Sequence, residues 1–192
     1  MTIYLKKSSY DCNRQSDIVE LLYSTDPELL QLWYGNKVKD VLQQRLTLNL
    51  LTRYLLEIWD EQTFVGIVII YPVSALADSG VQGTADIRKI LGWAQFFKKR
   101  TIYKKSARMF SGDIPKHYFY IQGFAIAPKY QGNGVGSTVL QQLKKRYLNL
   151  ALYVSESNNR AQQFYVKNGF KPTFYGQMSY RKQAFGEYLM LT

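Results

Sequence analysis

The stretch from Ile121 to Ser137, I-Q-G-F-A-I-A-P-K-Y-Q-G-N-G-V-G-S, constrains the fold more than any other part of the chain. An apolar run from Tyr118 to Ala127 suits a strand buried on both faces, and Pro128 ends it. Gly132, Gly134 and Gly136 follow at alternate positions, and from Val135 onward Val139, Leu140, Leu143 and Tyr147 recur at helical spacing. The order is strand, glycine loop, helix. A helix start offers unpaired N–H groups at the positive end of its dipole, and glycines let successive N–H groups converge on an anion. A phosphate or pyrophosphate is the natural guest, although for a lone G-x-G a plain tight turn competes with this reading. The spacing is not the dinucleotide fingerprint, and no Gly-Lys-Ser/Thr follows as in a Walker loop.

Around this stretch the chain alternates strands and helices. Thr2 to Lys6 alternates as an N-terminal strand. Asp17–Leu22, a run opening at Pro27 and ending near Gly35, and Val38–Leu46 form an early helical lobe. Arg53–Trp59 and Phe64–Tyr71, separated by Asp60-Glu61-Gln62, make a hairpin. Leu148–Val154 is a short strand, Asn158–Asn168 a helix stopped by Gly169, and Phe174–Tyr175 and Tyr188–Leu191 pair as final strands. The pattern predicts an α/β sheet, mixed because of its hairpins.

At 192 residues the chain holds one domain with a full core. One cysteine, Cys12, permits no internal disulfide, and as a nucleophile it would need a base beside it, so it reads as an ordinary thiol. A single histidine and a single cysteine argue against a zinc site, so no metal is expected. No signal peptide or apolar run of transmembrane length is seen, which predicts a cytoplasmic protein.

The formal charge of +11 points to an anionic partner or substrate. Between Arg88 and Lys116 nine basic residues face the single acid Asp113, a net +8 in that segment alone. Ile87, Ile90, Leu91, Ala94 and Phe97 recur there at helical spacing, giving a basic amphipathic helix that packs on the domain, covers a substrate site or touches a membrane surface. Trp93, Phe96, Phe97, Tyr103 and Phe110 leave nucleic acid open as a partner, since aromatics can stack on bases, although helical spacing more often means core.

Q-G-N-G-V-G, followed by S-E-S-N-N-R-A-Q-Q-F-Y-V-K-N-G-F, resembles the GNAT superfamily of N-acetyltransferases. Gln131, Gly134 and Gly136 match the family's Q/R-x-x-G-x-G/A loop. Asn158, Ala161, Phe164, Tyr165, Lys167, Gly169 and Phe170 match its second signature. The two motifs together cover residues 117–171. The resemblance implies a GNAT-like mixed, mostly antiparallel central sheet flanked by helices, in a single domain over 1–192. A basic helical insertion, at about 72–115, falls between the third and fourth strands.

It also implies acetyl-CoA as the donor. Its pyrophosphate would rest on the N–H groups of Gln131, Gly132, Asn133, Gly134, Val135, Gly136 and Ser137, and its pantetheine arm would pair with the backbone of Phe124, Ala125 and Ile126 where that strand splays from its neighbour. Asn158 would bond the pantetheine. Tyr165 would act as general acid at the thioester sulfur, for which a phenol is suited. The acceptor would be a primary amine on a small molecule or a protein, attacking the thioester directly.

The base is less defined, because Gln122 stands where the family often has a glutamate; Glu156 and His117 are the candidates, beside water. Two further readings stay open: an acetyltransferase for an anionic macromolecule such as aminoacyl-tRNA, and a CoA-binding regulatory module without catalysis. A homodimer is also left open.

Overall fold

The structure, a computed structural model, describes residues 2–8, 14–47, 52–77 and 84–192, so Cys12 lies outside the described residues. Its elements run β1 (Ile3–Lys7), α1 (Gln15–Thr25), α2 (Pro27–Tyr34), α3 (Val38–Thr47), β2 (Leu55–Asp60), β3 (Thr63–Pro72), α4 (Thr84–Met109), β4 (Phe119–Ile126), α5 (Val135–Tyr147), β5 (Leu150–Ser155), α6 (Asn159–Lys167), β6 (Lys171–Tyr180) and β7 (Gln183–Leu191). The seven strands form one sheet in the order β1-β2-β3-β4-β5-β7-β6. Every neighbouring pair is antiparallel except β4–β5. This is the mixed, mostly antiparallel α/β sheet that the sequence predicts.

Alternation along the strands divides the core between the two faces of the sheet. On one face Ile67, Ile69, Tyr71 and Ala125 pack against Ile18, Val19, Leu21 and Leu22 of α1 and Val38, Val41 and Leu42 of α3. On the other, Val68, Ile70, Ile121, Leu150 and Leu152 pack against Val135, Val139, Leu140 and Leu143 of α5 and Tyr165 of α6. The start of α2 is fixed by Asp26, whose side chain accepts from Leu29 N at 3.0 Å, with Pro27 in the first turn.

The centre of the sheet does not stay paired. β4 pairs with β3 along its whole length, but with β5 only from Phe119↔Leu150 to Ile121↔Leu152. Immediately after, a bulge opposite Ile69 and Ile70 leaves Gln122 without a counterpart on β3. Beyond that point β4 follows β3 and β5 follows β7, and the two arms part.

Two elements extend further than the sequence pattern predicts. The last strands were expected at Phe174–Tyr175 and Tyr188–Leu191, whereas β6 and β7 span Lys171–Tyr180 and Gln183–Leu191, with β7 between β5 and β6. The outward positions of β6 are polar and its turn is Arg181-Lys182, both at positive φ, in place of the Asn-Gly or Gly pairs that announce a hairpin. The basic helix expected around 87–97 is part of α4, which is broken at Gly92 (φ 75°, ψ 157°) and continues to Met109. Its second half lies across α2: Trp33 Nε1 donates to Ser106 Oγ at 2.8 Å, Tyr103 Oη to Trp33 O at 3.0 Å and Lys99 Nζ to Leu32 O at 2.8 Å. No helix among the described residues is long and apolar enough to cross a membrane.

Candidate active site

The glycine loop lies between the end of β4 and the start of α5. Gly132 and Gly134 adopt φ of 84° and 78°, in the left-handed region, and a Cβ on either would meet nothing within 4 Å, so glycine is required there by backbone conformation alone. Gly136 packs closely: a Cβ there would lie 3.0 Å from the Phe164 ring on α6, which would have to give way by a few tenths of an ångström. The first turn of α5 has Gly134 as its N-cap and no side-chain cap, which leaves the N–H groups of Val135, Gly136 and Ser137 pointing outward from the helix start. Asn133 is exposed in the same loop. Gln131 ties the loop back to the strand, its Nε2 donating to Ile126 O at 2.8 Å.

The arm of β4 that carries Phe124, Ala125 and Ile126 keeps β3 as its partner and has no strand on its β5 side. Asn158 caps α6, its Oδ1 accepting from Ala161 N at 3.0 Å, and among the described residues its Nδ2 makes no hydrogen bond. Tyr165 projects from α6 into the sheet. It is 9% exposed and packs edge-on against Phe164 and Phe170, and its hydroxyl has no hydrogen-bond partner among the described residues. Burial pushes the phenol pKa well up, which keeps it neutral and protonated. Sheet and loop thus bring Phe124–Ile126, Gln131–Ser137, Asn158 and Tyr165 around the place where β4 and β5 part.

The base candidates fall elsewhere. His117 is exposed, packs at a tilt against Tyr118 and sits in the turn before β4, five residues ahead of Gln122. Glu156 is exposed past the end of β5 and accepts from Tyr175 Oη at 2.7 Å, which pushes the Tyr175 pKa up to about 12. Gln122 is exposed at the bulge. Among the described residues no three His, Cys, Asp or Glu side chains gather as a metal site would require.

The sequence reading missed a pair of acids on the α1 face. Glu187 on β7 is 5% exposed, and Asp26 in the α1–α2 turn is its electrostatic neighbour. Burial, and then the charge and hydrogen bond of Asp26, push the Glu187 pKa well above neutrality; burial also raises Asp26, against its hydrogen bond from Leu29 N. Glu187 therefore holds its proton past neutrality. The N-cap role of Asp26 is readable from its place before Pro27, but nothing in the sequence relates it to an acid at the other end of the chain.

These features recur in known proteins. Residues 20–170 match the model of the Acetyltransferase (GNAT) family. The chain belongs to the GNAT family. Among solved structures it is similar to an N-acetyltransferase from Staphylococcus aureus Mu50, at 16% identity and a TM-score of 0.67, covering 98% of this chain and 100% of that one. It is also similar to a histone acetyltransferase HPA2 and related acetyltransferase from Corynebacterium glutamicum ATCC 13032, at 20% identity and a TM-score of 0.61, covering 100% and 96%. A GNAT family acetyltransferase from Elizabethkingia anophelis, solved with acetyl-CoA bound, shares 16% identity at a TM-score of 0.51, covering 99% and 95%. Among curated proteins no sequence matches this chain. GNAT acetyltransferases use acetyl-CoA, and a helix start with uncapped N–H groups beside an unpaired strand edge fits that donor.

Proposed function

We propose that this GNAT protein moves the acetyl group of acetyl-CoA to a primary amine by direct attack. The observation that carries the reading is the parting of β4 and β5 beside the uncapped start of α5. The pyrophosphate is held by the N–H groups from Gln131 to Ser137. The pantetheine arm continues the sheet along Phe124–Ile126, with Nδ2 of Asn158 directed to it.

The thioester then lies at the parting of the strands, next to Tyr165. A neutral amine attacks the carbonyl carbon, the new C–N bond forms and the oxygen takes the negative charge, which a backbone N–H near Ile126 steadies. The C–S bond breaks, the thiolate takes a proton from the Tyr165 hydroxyl, and the proton that the nitrogen loses as the amide forms returns the phenol to its protonated state by way of water. The burial that raises the Tyr165 pKa keeps the phenol protonated, so its O–H faces the leaving sulfur as a hydrogen-bond donor across the working pH range.

Calorimetric titration tests the donor half. Acetyl-CoA should bind at least about tenfold more tightly than acetyl-pantetheine, the worth of one charge-assisted hydrogen bond to the pyrophosphate. Equal affinities would remove the anion cradle from the account.

One observation favours a bulkier, anionic acceptor. On α4, Trp93 and Phe97 are 59% and 56% exposed and stacked on each other, and the Arg88 guanidinium lies 4.5 Å from the Trp93 ring centroid. Such a step of rings among cations suits the backbone and bases of an RNA that carries the amine. Binding of RNA to the whole protein that weakens steeply with salt would support it, and no binding at low salt would end it.

A further inference from the structure

α5 does not cover its face of the sheet to the end. It stops at Tyr147, where Leu148, at a φ of 56°, turns the chain toward β5. Beyond that stop a cavity of about 290 Å³ opens over one end of β1, β2, β3 and β4. The cavity meets β4 at Phe119 and α5 at Arg146 and Tyr147, whereas the glycine loop lies past Ile126 and before Val135. α5 has 13 residues, so about 20 Å of helix separates the two places.

Strand register explains why the lining side chains converge. Lys7 lies opposite Leu56 and Pro72 opposite Phe119, and alternation along β3 puts Ile70 on the same face as Pro72. On β1 that face carries Ile3 and Leu5, both packed in the core beneath α5, and then Lys7. A cation therefore stands where the pattern calls for a third apolar side chain. Arg53 enters from the turn Thr52–Tyr54 before β2, and Arg146 from the last turn of α5.

Three cations thus line one cavity, and among the described residues no aspartate or glutamate does. None of the three forms an ion pair or a hydrogen bond among the described residues. The Arg53 guanidinium lies over the Tyr54 ring, 5.5 Å from its centroid, and that of Arg146 over Tyr147, at 5.2 Å. A guanidinium held on a ring keeps its fork of N–H donors for another partner. A cation in the last turn of a helix suits the dipole, which accounts for a basic end to α5 but not for the meeting of Arg146 with Lys7 and Arg53. Like charges gathered without a counter-ion repel, and an anion among them removes that repulsion.

The floor is of another kind. Leu56, Ile70, Pro72 and Phe119 are apolar, and the rings of Phe119 and Tyr147 stand with centroids 4.5 Å apart. A bare inorganic anion would leave this floor wet, and a wholly apolar ligand would leave the cations unanswered. A cavity at the small end of the range for ligand sites holds one ring system with its anionic group.

We propose that this cavity is a second ligand site, for a small aromatic phosphate of the size of a nucleoside monophosphate. The ring lies against Phe119 and Tyr147; the phosphate is held by Arg53 and Arg146, with Lys7 as a third charge. The site is independent of the acetyl-transfer reading, since no residue of the glycine loop or of the Phe124–Ile126 arm lines it, nor does Asn158 or Tyr165.

Calorimetric titration of the whole protein tests it, with acetyl-CoA present at saturation so that no nucleotide enters the donor site. The probes are adenosine and uridine monophosphate, the two nucleosides, and inorganic phosphate. At least one monophosphate should bind, and its nucleoside and inorganic phosphate should each bind at least about tenfold more weakly. Arg53 and Arg146 are exposed, so Arg53→Gln and Arg146→Gln should fold and bind acetyl-CoA as the wild type does, and each should weaken the monophosphate by about tenfold or more. Lys145→Gln removes an exposed cation from the same helical turn but outside the cavity, and should change the affinity by less than about twofold. No binding of either monophosphate at millimolar concentration would overturn the site. So would inorganic phosphate binding as tightly as the nucleotides, or equal effects of Arg53→Gln, Arg146→Gln and Lys145→Gln.

Discussion

Replacing Glu187 by glutamine should make the protein more stable as the pH rises from about 5 to 7, because the native state holds a proton there that the unfolded chain gives up. Glutamine reproduces the shape and the donor of the protonated acid and removes its ionisation. In the folded protein burial and Asp26 keep Glu187 protonated past neutrality, whereas unfolded it ionises near its ordinary 4.5.

Below that value both states carry the proton, and the group adds no pH dependence. Above it, unfolding releases a proton, so the wild type loses about 1.4 kcal/mol per pH unit until the folded group itself ionises. Over the two units from about pH 5 to 7 the loss is about 3 kcal/mol from this group alone. The pKa of Asp26 is raised for the same main reason and acts in the same direction, but it remains in both proteins. The difference in unfolding free energy between Glu187→Gln and wild type should therefore move by about 2 to 3 kcal/mol in favour of the variant, a sizeable part of a domain's total stability. Urea unfolding of both proteins at about pH 5, 6 and 7 reads it directly. Stability curves that run parallel across that range would refute a Glu187 that stays protonated in the folded protein past neutrality.

Other substitutions separate conformation, space and chemistry. Tyr165→Phe should lower kcat by about 10- to 100-fold with acetyl-CoA affinity nearly unchanged, since the hydroxyl has no structural partner to lose; an unchanged kcat in steady-state assays would remove it as the acid. Gly134→Ala has open space around it and should cost only the left-handed backbone, about 1 to 2 kcal/mol by chemical denaturation, whereas Gly136→Val must push α5 from the Phe164 ring and should weaken acetyl-CoA binding as well. If Gly136→Val bound acetyl-CoA as the wild type does, the packing of α5 on α6 would not set the cradle.

Most of the proposed donor site is legible in the sequence because it is local. A strand, two left-handed glycines, a third at the crossing of two helices, and a capping asparagine all lie within the contiguous run from Phe119 to Phe170, where each residue's neighbours in space are close in the chain. The hairpin of β2 and β3 and the early helices were legible for the same reason, through periodicity and the Pro27 start.

The pair of acids was not legible. Asp26 comes from the α1–α2 turn and Glu187 from β7, and the placing of β7 between β5 and β6 brings them into each other's field. That placing was itself hidden, since the β6–β7 turn uses arginine and lysine at positive φ. Glu187 stands in a run, E-Y-L-M-L, that reads as plain strand. The second half of α4 escaped because its buried side, Ile102, Ser106 and Met109, is too sparse to stand out among the cations.

The most direct test of the whole account is to incubate the purified protein with acetyl-CoA and a panel of alkyl amines, polyamines and amine-bearing peptides, following free CoA thiol and acetylated product together by mass spectrometry. Acetyl transfer to a primary amine predicts thiol release that depends on the amine and one acetylated amine for each CoA freed. Acetyl-CoA bound but never turned over, or thiol released at the same rate with and without every amine, would contradict it.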